Sequence, residues 1–315
     1  MNNILKKINA SKHIVVVAHI NPDADTLGSA SAIYTYILQL HKKVSFFCAS
    51  KDIESKLKFI PWVDKIRFSF PNSADLAIVC DCASLSRVGV KVECDIINID
   101  HHRSNNNYGL INLIEPNYIS TTQIVYQLFS DNNIKINKKV ATALYAGLLD
   151  DSDGFMSEKV DSAFFAIITQ LIESGADYRA CNKYLQHYIS LAELRLKSLM
   201  FSNMQLFNDG QVVFFNVSDD DMKITGASLR ECEGALEEGL YLPTAKVSFL
   251  LFEKSDLSIK GSLRSNSNFD VMLIAKEFNG GGHKTRAGFN IEKAESLEKI
   301  KNKILTIIDK EIKNG

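Results

Sequence analysis

Short β-branched apolar runs alternate with amphipathic stretches through the first half of the chain. Ile14–Ala18 is an unbroken apolar run, the pattern of a strand buried on both faces. From Gly28 to Leu40, the positions Ala30, Ile33, Tyr34, Ile37 and Leu38 recur at helical spacing. Lys43–Phe47, Leu76–Cys80 and Asp95–Ile99 read as further strands, and Thr122–Phe129, Lys138–Leu149 and Asp161–Ser174 as helices. This alternation predicts an α/β fold, a mainly parallel sheet covered by helices. Ile189–Phe207 then runs without Gly or Pro, with Leu191, Leu194, Met200 and Met204 on one side, and reads as a linking helix. Beyond it Gln211–Asn216, Ala245–Phe252 and Leu257–Leu263 read as strands, the last two as a hairpin around Lys254–Asp256. Asp270–Phe278 and Glu292–Ile312 read as helices, giving a smaller α+β unit. The expected division is 1–188, a linking helix over 189–207, and 208–315.

Composition narrows the field. With 315 residues, two domains are more natural than one. A net charge of −1 excludes a protein that coats long nucleic acid, but not one that holds a short anion locally. No apolar run reaches the ~18 residues of a membrane span, and Met1–Lys12 lacks a signal peptide's apolar stretch. A cytoplasmic protein is the default expectation. The six cysteines form no CxxC pair and read as reduced thiols; a Cys80-x-Cys82 metal site ranks below core packing.

Four clusters carry the candidate chemistry. The first, His19, Asn21, Pro22, Asp23, Asp25, Gly28 and Ser29, follows strand Ile14–Ala18, where the carboxyl ends of an open α/β sheet form a ligand crevice. An Asx-turn with a helix cap explains one Asp, but not both together with a His. Free N–H groups near Gly28 and Ser29 are an anion site if the helix begins there. Asp81, the second, stands alone at the end of strand Leu76–Cys80. The third is Asp100–His101–His102, two adjacent rings leaving a strand end in different directions, with Asp100 placed to orient one of them. Asp150, Asp151 and Asp153 form the fourth, equally readable as a polar loop. Together these mixed imidazole and carboxylate groups suit Mn²⁺ first, then Zn²⁺, Fe²⁺ or Mg²⁺. They are too many for one ion and fit two divalent metal ions ~3.5–4 Å apart. In the second half, Gly280–Gly282 and His283, with Arg264 upstream, form a candidate anion site. His13, His41 and His187 read as ordinary surface or core residues.

These residues, in this order, resemble the DHH phosphoesterase family, whose name-giving triplet is Asp100–His102 here. His19-x-Asn-Pro-Asp23-x-Asp25 is similar to its first motif, Asp81 stands at its second and Gly147–Phe155 resembles its fourth. Arg264-Ser265 and Gly280–His283 resemble the DHH-associated C-terminal domain. The two-domain layout is similar to that of the bacterial nano-RNase/pAp phosphatases. The resemblance implies hydrolysis of very short oligonucleotides and of the 3′-phosphate of adenosine 3′,5′-bisphosphate. His19 and Asp23 would then hold one ion, Asp25, His101 and Asp151 the other, and Asp81 both; His102 would face the scissile phosphate. Arg264, Ser265, the Gly281–Gly282 backbone and His283 would hold the substrate's other phosphate, and Arg103 is a further substrate candidate. Departures are Asn279 in place of a first glycine, Arg286 where a small residue is usual, and Asp150 and Asp153 around the fourth motif. The expected partners are short single-stranded oligonucleotides or small nucleotides, not long nucleic acid or membrane; a homodimer stays open. The alternatives are a phosphodiesterase of cyclic dinucleotide signalling and a non-catalytic nucleotide-binding regulator.

Overall fold

In the computed structural model, which describes residues 3–266, 269–293 and 296–314, the apolar runs of the first half become one parallel sheet. The chain divides into two units, Met1–Tyr188 and Ile189–Gly315. The first runs α1 (Asn3–Ala10), β1 (His13–Ala18), α2 (Ala24–Gln39), β2 (Lys43–Cys48), β3 (Ile66–Arg67), β4 (Leu76–Cys80), β5 (Asp95–Asp100) and β6 (Ile111–Ile114). Four helices complete it, α3 (Thr121–Asp131), α4 (Lys138–Asp151), α5 (Ser162–Glu173) and α6 (Tyr178–Gln186). All strand pairs are parallel, in the order β3-β2-β1-β4-β5-β6. That order reverses direction between β1 and β4, and ligands of open α/β sheets bind beyond the strand ends at such a point.

Alternate residues of the buried strands face two different layers. Ile14, Val16, Phe46, Ile78 and Ile97 pack beneath the helices, in one core with residues of α1 to α6. Val15, Val17, Phe47, Ala77 and Val79 pack under connecting segments that include Phe70, Leu85 and Tyr108. The expected parallel sheet is therefore present, with the helices on one face. Helix α2 begins at Ala24, earlier than the expected Gly28, because Asp23 is its N-cap and accepts from the Thr26 N–H at 2.9 Å. Gly28 consequently lies inside the helix and offers no anion site there.

The second unit comprises α7 (Leu191–Ser202), β7 (Gln205–Phe207), β8 (Val212–Ser218), α8 (Asp219–Thr225), α9 (Glu233–Glu238), β9 (Val247–Glu253) and β10 (Ile259–Ser265). It continues with α10 (Val271–Lys276), β11 (Gly281–Gly282), β12 (Arg286–Ile291) and α11 (Leu297–Asn314). Its mixed sheet has the order β11-β12-β10-β9-β8-β7, with β8 and β9 parallel. One face packs on α10 and α11, the other on α7 and α9. The expected helix over Ile189–Phe207 is shorter: Asn208, Asp209 and Gly210 have positive φ and turn Gln205–Phe207 back onto β8 as a strand. Leu196 and Met200 of α7 are buried in this unit's own core. Of the expected helix over Glu292–Ile312, positions 294 and 295 lie outside the described residues, as do 267, 268 and 315 of the expected second domain and 1 and 2 of the first.

Candidate active site

Three neighbouring strands, β1, β4 and β5, end in His19, Asp81 and Asp100–His101–His102. Asp81 is the hub. Only 2% exposed and in the left-handed region at φ 56°, it turns its carboxylate between two groups of ligand-type side chains. Its Oδ2 lies 3.5 Å from His19 Nε2, which is also 3.6 Å from Asp23 Oδ2. Its Oδ1 lies 3.6 Å from His101 Nε2 and 3.5 Å from His102 Nδ1, and accepts from the Thr121 hydroxyl at 3.0 Å. His101 Nε2 is 3.3 Å from Asp151 Oδ2.

Each group has a local reason for its orientation. His19 Nδ1 donates to the Ile20 carbonyl at 2.8 Å, which leaves Nε2 for the carboxylates. Asp25, in the first turn of α2 and fully buried, meets the N-terminus of α3: the Thr121 and Thr122 N–H groups donate to it at 2.7 and 2.8 Å, and the Thr122 hydroxyl at 2.7 Å. Close packing of α2, α3 and α4 brings Asp151 to the same place. A Cβ on Gly147 would lie 2.5 Å from Thr122 Cγ2 and 2.7 Å from Asp25 Oδ1. Asp100, fully buried, accepts from the His101 N–H at 2.8 Å and from His102 Nδ1 at 2.7 Å, and Asn105 donates to its second oxygen. It therefore orients His102.

The electrostatics are those of an acidic cluster gathered out of water. Burial, with Asp81 nearby, holds the Asp25 pKa well above the usual carboxylate range; burial and Asp25 do the same to Asp151. Burial draws His19 down, but the Asp23 and Asp81 carboxylates outweigh it and push the ring up to about 9. Asp100 is held low because the hydrogen bond from His102 outweighs its burial, and Asp23, whose side chain is half exposed, is held low by its contact with His19. The bond to Asp100 raises His102, whereas burial lowers His101.

Among the described residues, three groups each have donor atoms within 4.8 Å of one another: His19, Asp23 and Asp81; Asp25, His101 and Asp151; and Asp81, His101 and His102. Buried like charges of this kind call for a compensating cation, and oxygen and imidazole donors suit a divalent one. The expected ligand residues thus come together. Asp150 and Asp153 stand outside all three groups. Asp150 accepts from the Ala24 N–H at 3.2 Å, at the start of α2, and burial together with Asp23 pushes its pKa up to about 6. Asp153 is exposed.

In the second unit, Arg264 on β10 is 11% exposed and lies 3.8 Å from Glu233 and 3.7 Å from Glu237. Burial and the neighbouring Arg286 lower its pKa. Gly281 and Gly282 pair with Gly288 and Ala287 of β12; a Cβ on Gly282, at φ 143°, would lie 2.4 Å from the Arg286 carbonyl oxygen. His283 is exposed beside them. The Ser265 hydroxyl is buried and donates to the Phe269 carbonyl at 2.7 Å. Arg103 is exposed next to the triplet.

Sequence reasoning missed Thr121, Thr122, Asn105 and Arg87. Arg87, in the short turn after Asp81, brings Nη2 to 3.2 and 3.3 Å from the two nitrogens of the His19 ring, and its carbonyl accepts from the Ile20 N–H at 2.8 Å. Ser120-Thr121-Thr122 carried the one available signal, that of a helix N-terminus.

Among the described residues no helix is long and apolar enough to cross a membrane, and all six cysteines are free. The chain is 26% identical over 304 residues to the bifunctional oligoribonuclease and PAP phosphatase NrnA of Thermus thermophilus, covering 95% of this chain and 90% of that protein. It is 26% identical over 332 residues to the cyclic-di-AMP phosphodiesterase GdpP of Bacillus subtilis, covering 96% of this chain and 49% of GdpP. The crystal structure of an exopolyphosphatase-related protein from Bacteroides fragilis shares the fold, with a TM-score of 0.88 at 24% identity, covering 98% of this chain and 96% of that one. The family model for the DHH family, N-terminal domain matches residues 13–148, and that for the DHHA1 domain matches residues 230–310. Together they take in more than half of the sequence, and the chain belongs to the DHH family.

Proposed function

We propose that this chain is a divalent-metal-dependent phosphoesterase that hydrolyses very short oligonucleotides and the 3′-phosphate of adenosine 3′,5′-bisphosphate. The observation that carries it is that the Asp81 carboxylate lies within 3.6 Å of both His19 and His101, which belong to two different groups of side chains able to hold a metal ion. Similarity to NrnA over nearly the whole of both chains supports the substrate class.

His19 and Asp23 would hold one cation, Asp25, His101 and Asp151 a second, and Asp81 both, with Mn²⁺ preferred by the mixed donors. Two such cations supply Lewis acidity toward phosphoryl oxygens and a nucleophile at neutral pH. The chain's own groups do the rest. Asp100 keeps the proton on His102 Nδ1, so the other edge of a cationic ring is presented to a phosphoryl oxygen. Arg87 adds a second positive group beside His19. The α3 N-terminus fixes Asp25, so that ligand is pre-oriented. In the second unit Arg264, the Gly281–Gly282 backbone and His283 would bind the substrate's other phosphate, and exposed Arg103 would meet its sugar-phosphate chain. Short, highly charged nucleotides suit this distribution at a net charge of −1.

Similarity to GdpP favours a second reading, a phosphodiesterase of cyclic di-AMP itself. The kcat/KM values for pApA, pGpG, pAp, cyclic di-AMP and a long RNA, all with Mn²⁺, separate the two. The proposal requires the linear dinucleotides and pAp to lead; cyclic di-AMP leading would replace it by the second reading.

A further inference from the structure

Arg286 directly faces Arg264 across strands β12 and β10. Like charges in directly opposed positions destabilise a sheet. Here both guanidinium groups converge on one carboxylate oxygen. Glu237 Oε1, from α9, lies 2.7 Å from Arg286 Nη2 and 3.7 Å from Arg264 Nε. That Arg264 Nε is buried and has no hydrogen-bond partner among the described residues. Arg264 Nη1 is used locally, donating to the Leu263 carbonyl at 3.0 Å, and Nη2 is 3.8 Å from Glu233. The carboxylate thus satisfies one arginine and leaves a donor of the other idle. Arg286 is also tied to the residue that follows the glycine run: its N–H donates to the His283 carbonyl at 3.2 Å, and its carbonyl accepts from the His283 N–H at 2.7 Å.

A phosphate monoester offers three peripheral oxygens and nearly two charges, so it can meet both guanidinium groups where a single carboxylate oxygen meets one. A bridging diester carries one charge and gains less. We propose that Arg264 and Arg286 form a two-guanidinium clamp for the terminal 5′-phosphate dianion of the substrate, and that Glu237 occupies this clamp until the phosphate displaces it. The inference rests on the reading of Arg264 as a phosphate-binding residue and adds Arg286 and Glu237 as residues that set specificity for phosphorylated ends.

The test is the ratio of kcat/KM for pApA to that for ApA, the same dinucleotide without its terminal phosphate, in full-length wild type and in R264A, R286A and E237Q. Calorimetric binding of AMP against adenosine gives the same comparison without turnover. Losing one charge-assisted contact should lower the ratio about tenfold or more in R286A and in R264A. E237Q should raise the ratio and tighten AMP binding. A lowered ratio in R264A with an unchanged one in R286A overturns the clamp and leaves the Arg264 reading standing. An unchanged ratio in both overturns both. A fall in Tm for R286A and E237Q with no change in ratio or in AMP preference would make the trio a structural tie between α9 and the sheet, and would also overturn it.

Discussion

Thr121 touches two acids of the candidate metal centre at once. Its backbone N–H donates to Asp25 at 2.7 Å, and its hydroxyl donates to Asp81 at 3.0 Å. A single residue at the first position of α3 thus fixes one carboxylate of each ligand group. Thr121→Val keeps the volume and the N–H but removes the hydroxyl. Loss of such a supporting bond weakens metal binding roughly 10- to 100-fold. Calorimetric titration with Mn²⁺ should show that loss with Tm in chelator nearly unchanged; wild-type affinity in the variant would remove Thr121 from the centre.

Gly147 sets the separation of α4 from Asp25. A methyl group there would lie 2.5 to 2.7 Å from Thr122 and Asp25. Overpacking of this kind costs about 1–3 kcal/mol. Gly147→Ala should therefore lower Tm and, because Asp25 and Asp151 lie on either side of that contact, should also reduce the Tm increase that Mn²⁺ produces. A variant with both quantities unchanged would show that α4 shifts freely.

The acidic cluster makes stability depend on pH in a defined sense. Asp25 and Asp151 are raised by burial and by neighbouring acids, and Asp150 is pushed up to about 6. A raised carboxyl contributes stability below its ordinary pKa, and that contribution is lost as pH climbs through the folded value. His19, pushed up to about 9, runs the same way: its contribution is present below its ordinary value of 6.5 and goes as pH rises through about 9. His101, lowered by burial, opposes them. Chelator-treated protein should therefore melt lower at about pH 8.5 than at about pH 5.5, and Mn²⁺ should stabilise it more at the alkaline end. Equal Mn²⁺ shifts at both pH values would contradict the clustering.

Asp100 raises His102 by accepting from its Nδ1. A ring that acts as a cation loses its role as pH rises through its pKa. In Asp100→Asn the alkaline limb of kcat/KM against pH should move to lower pH, with a reduced maximum. A lower maximum over an unmoved limb would limit Asp100 to holding the loop.

The strands were legible because each is a dense apolar run, and the candidate ligands at their ends because His and Asp there have no packing reason. The start of α2 was not legible, since Pro22-Asp23 reads as a turn, and the helix cap and candidate metal ligand are the same side chain. Asp150 and Asp151 are neighbours in sequence, yet successive helical residues point about 100° apart. One meets the start of α2 and the other meets His101. Thr121, Thr122 and Arg87 act through contacts 40 to 97 residues away in sequence, and no local pattern announces such contacts.

The claim that Asp81 joins two ligand groups is tested most directly by hydrolysis of pApA with Mn²⁺ in wild type and in Asp81→Asn, which keeps the side chain's shape. Wild type should turn over in Mn²⁺ and stop in chelator. The variant should lose about 10³-fold in kcat/KM while remaining folded by circular dichroism. Wild type inactive with every divalent cation, or a variant within tenfold of it, would contradict the assignment.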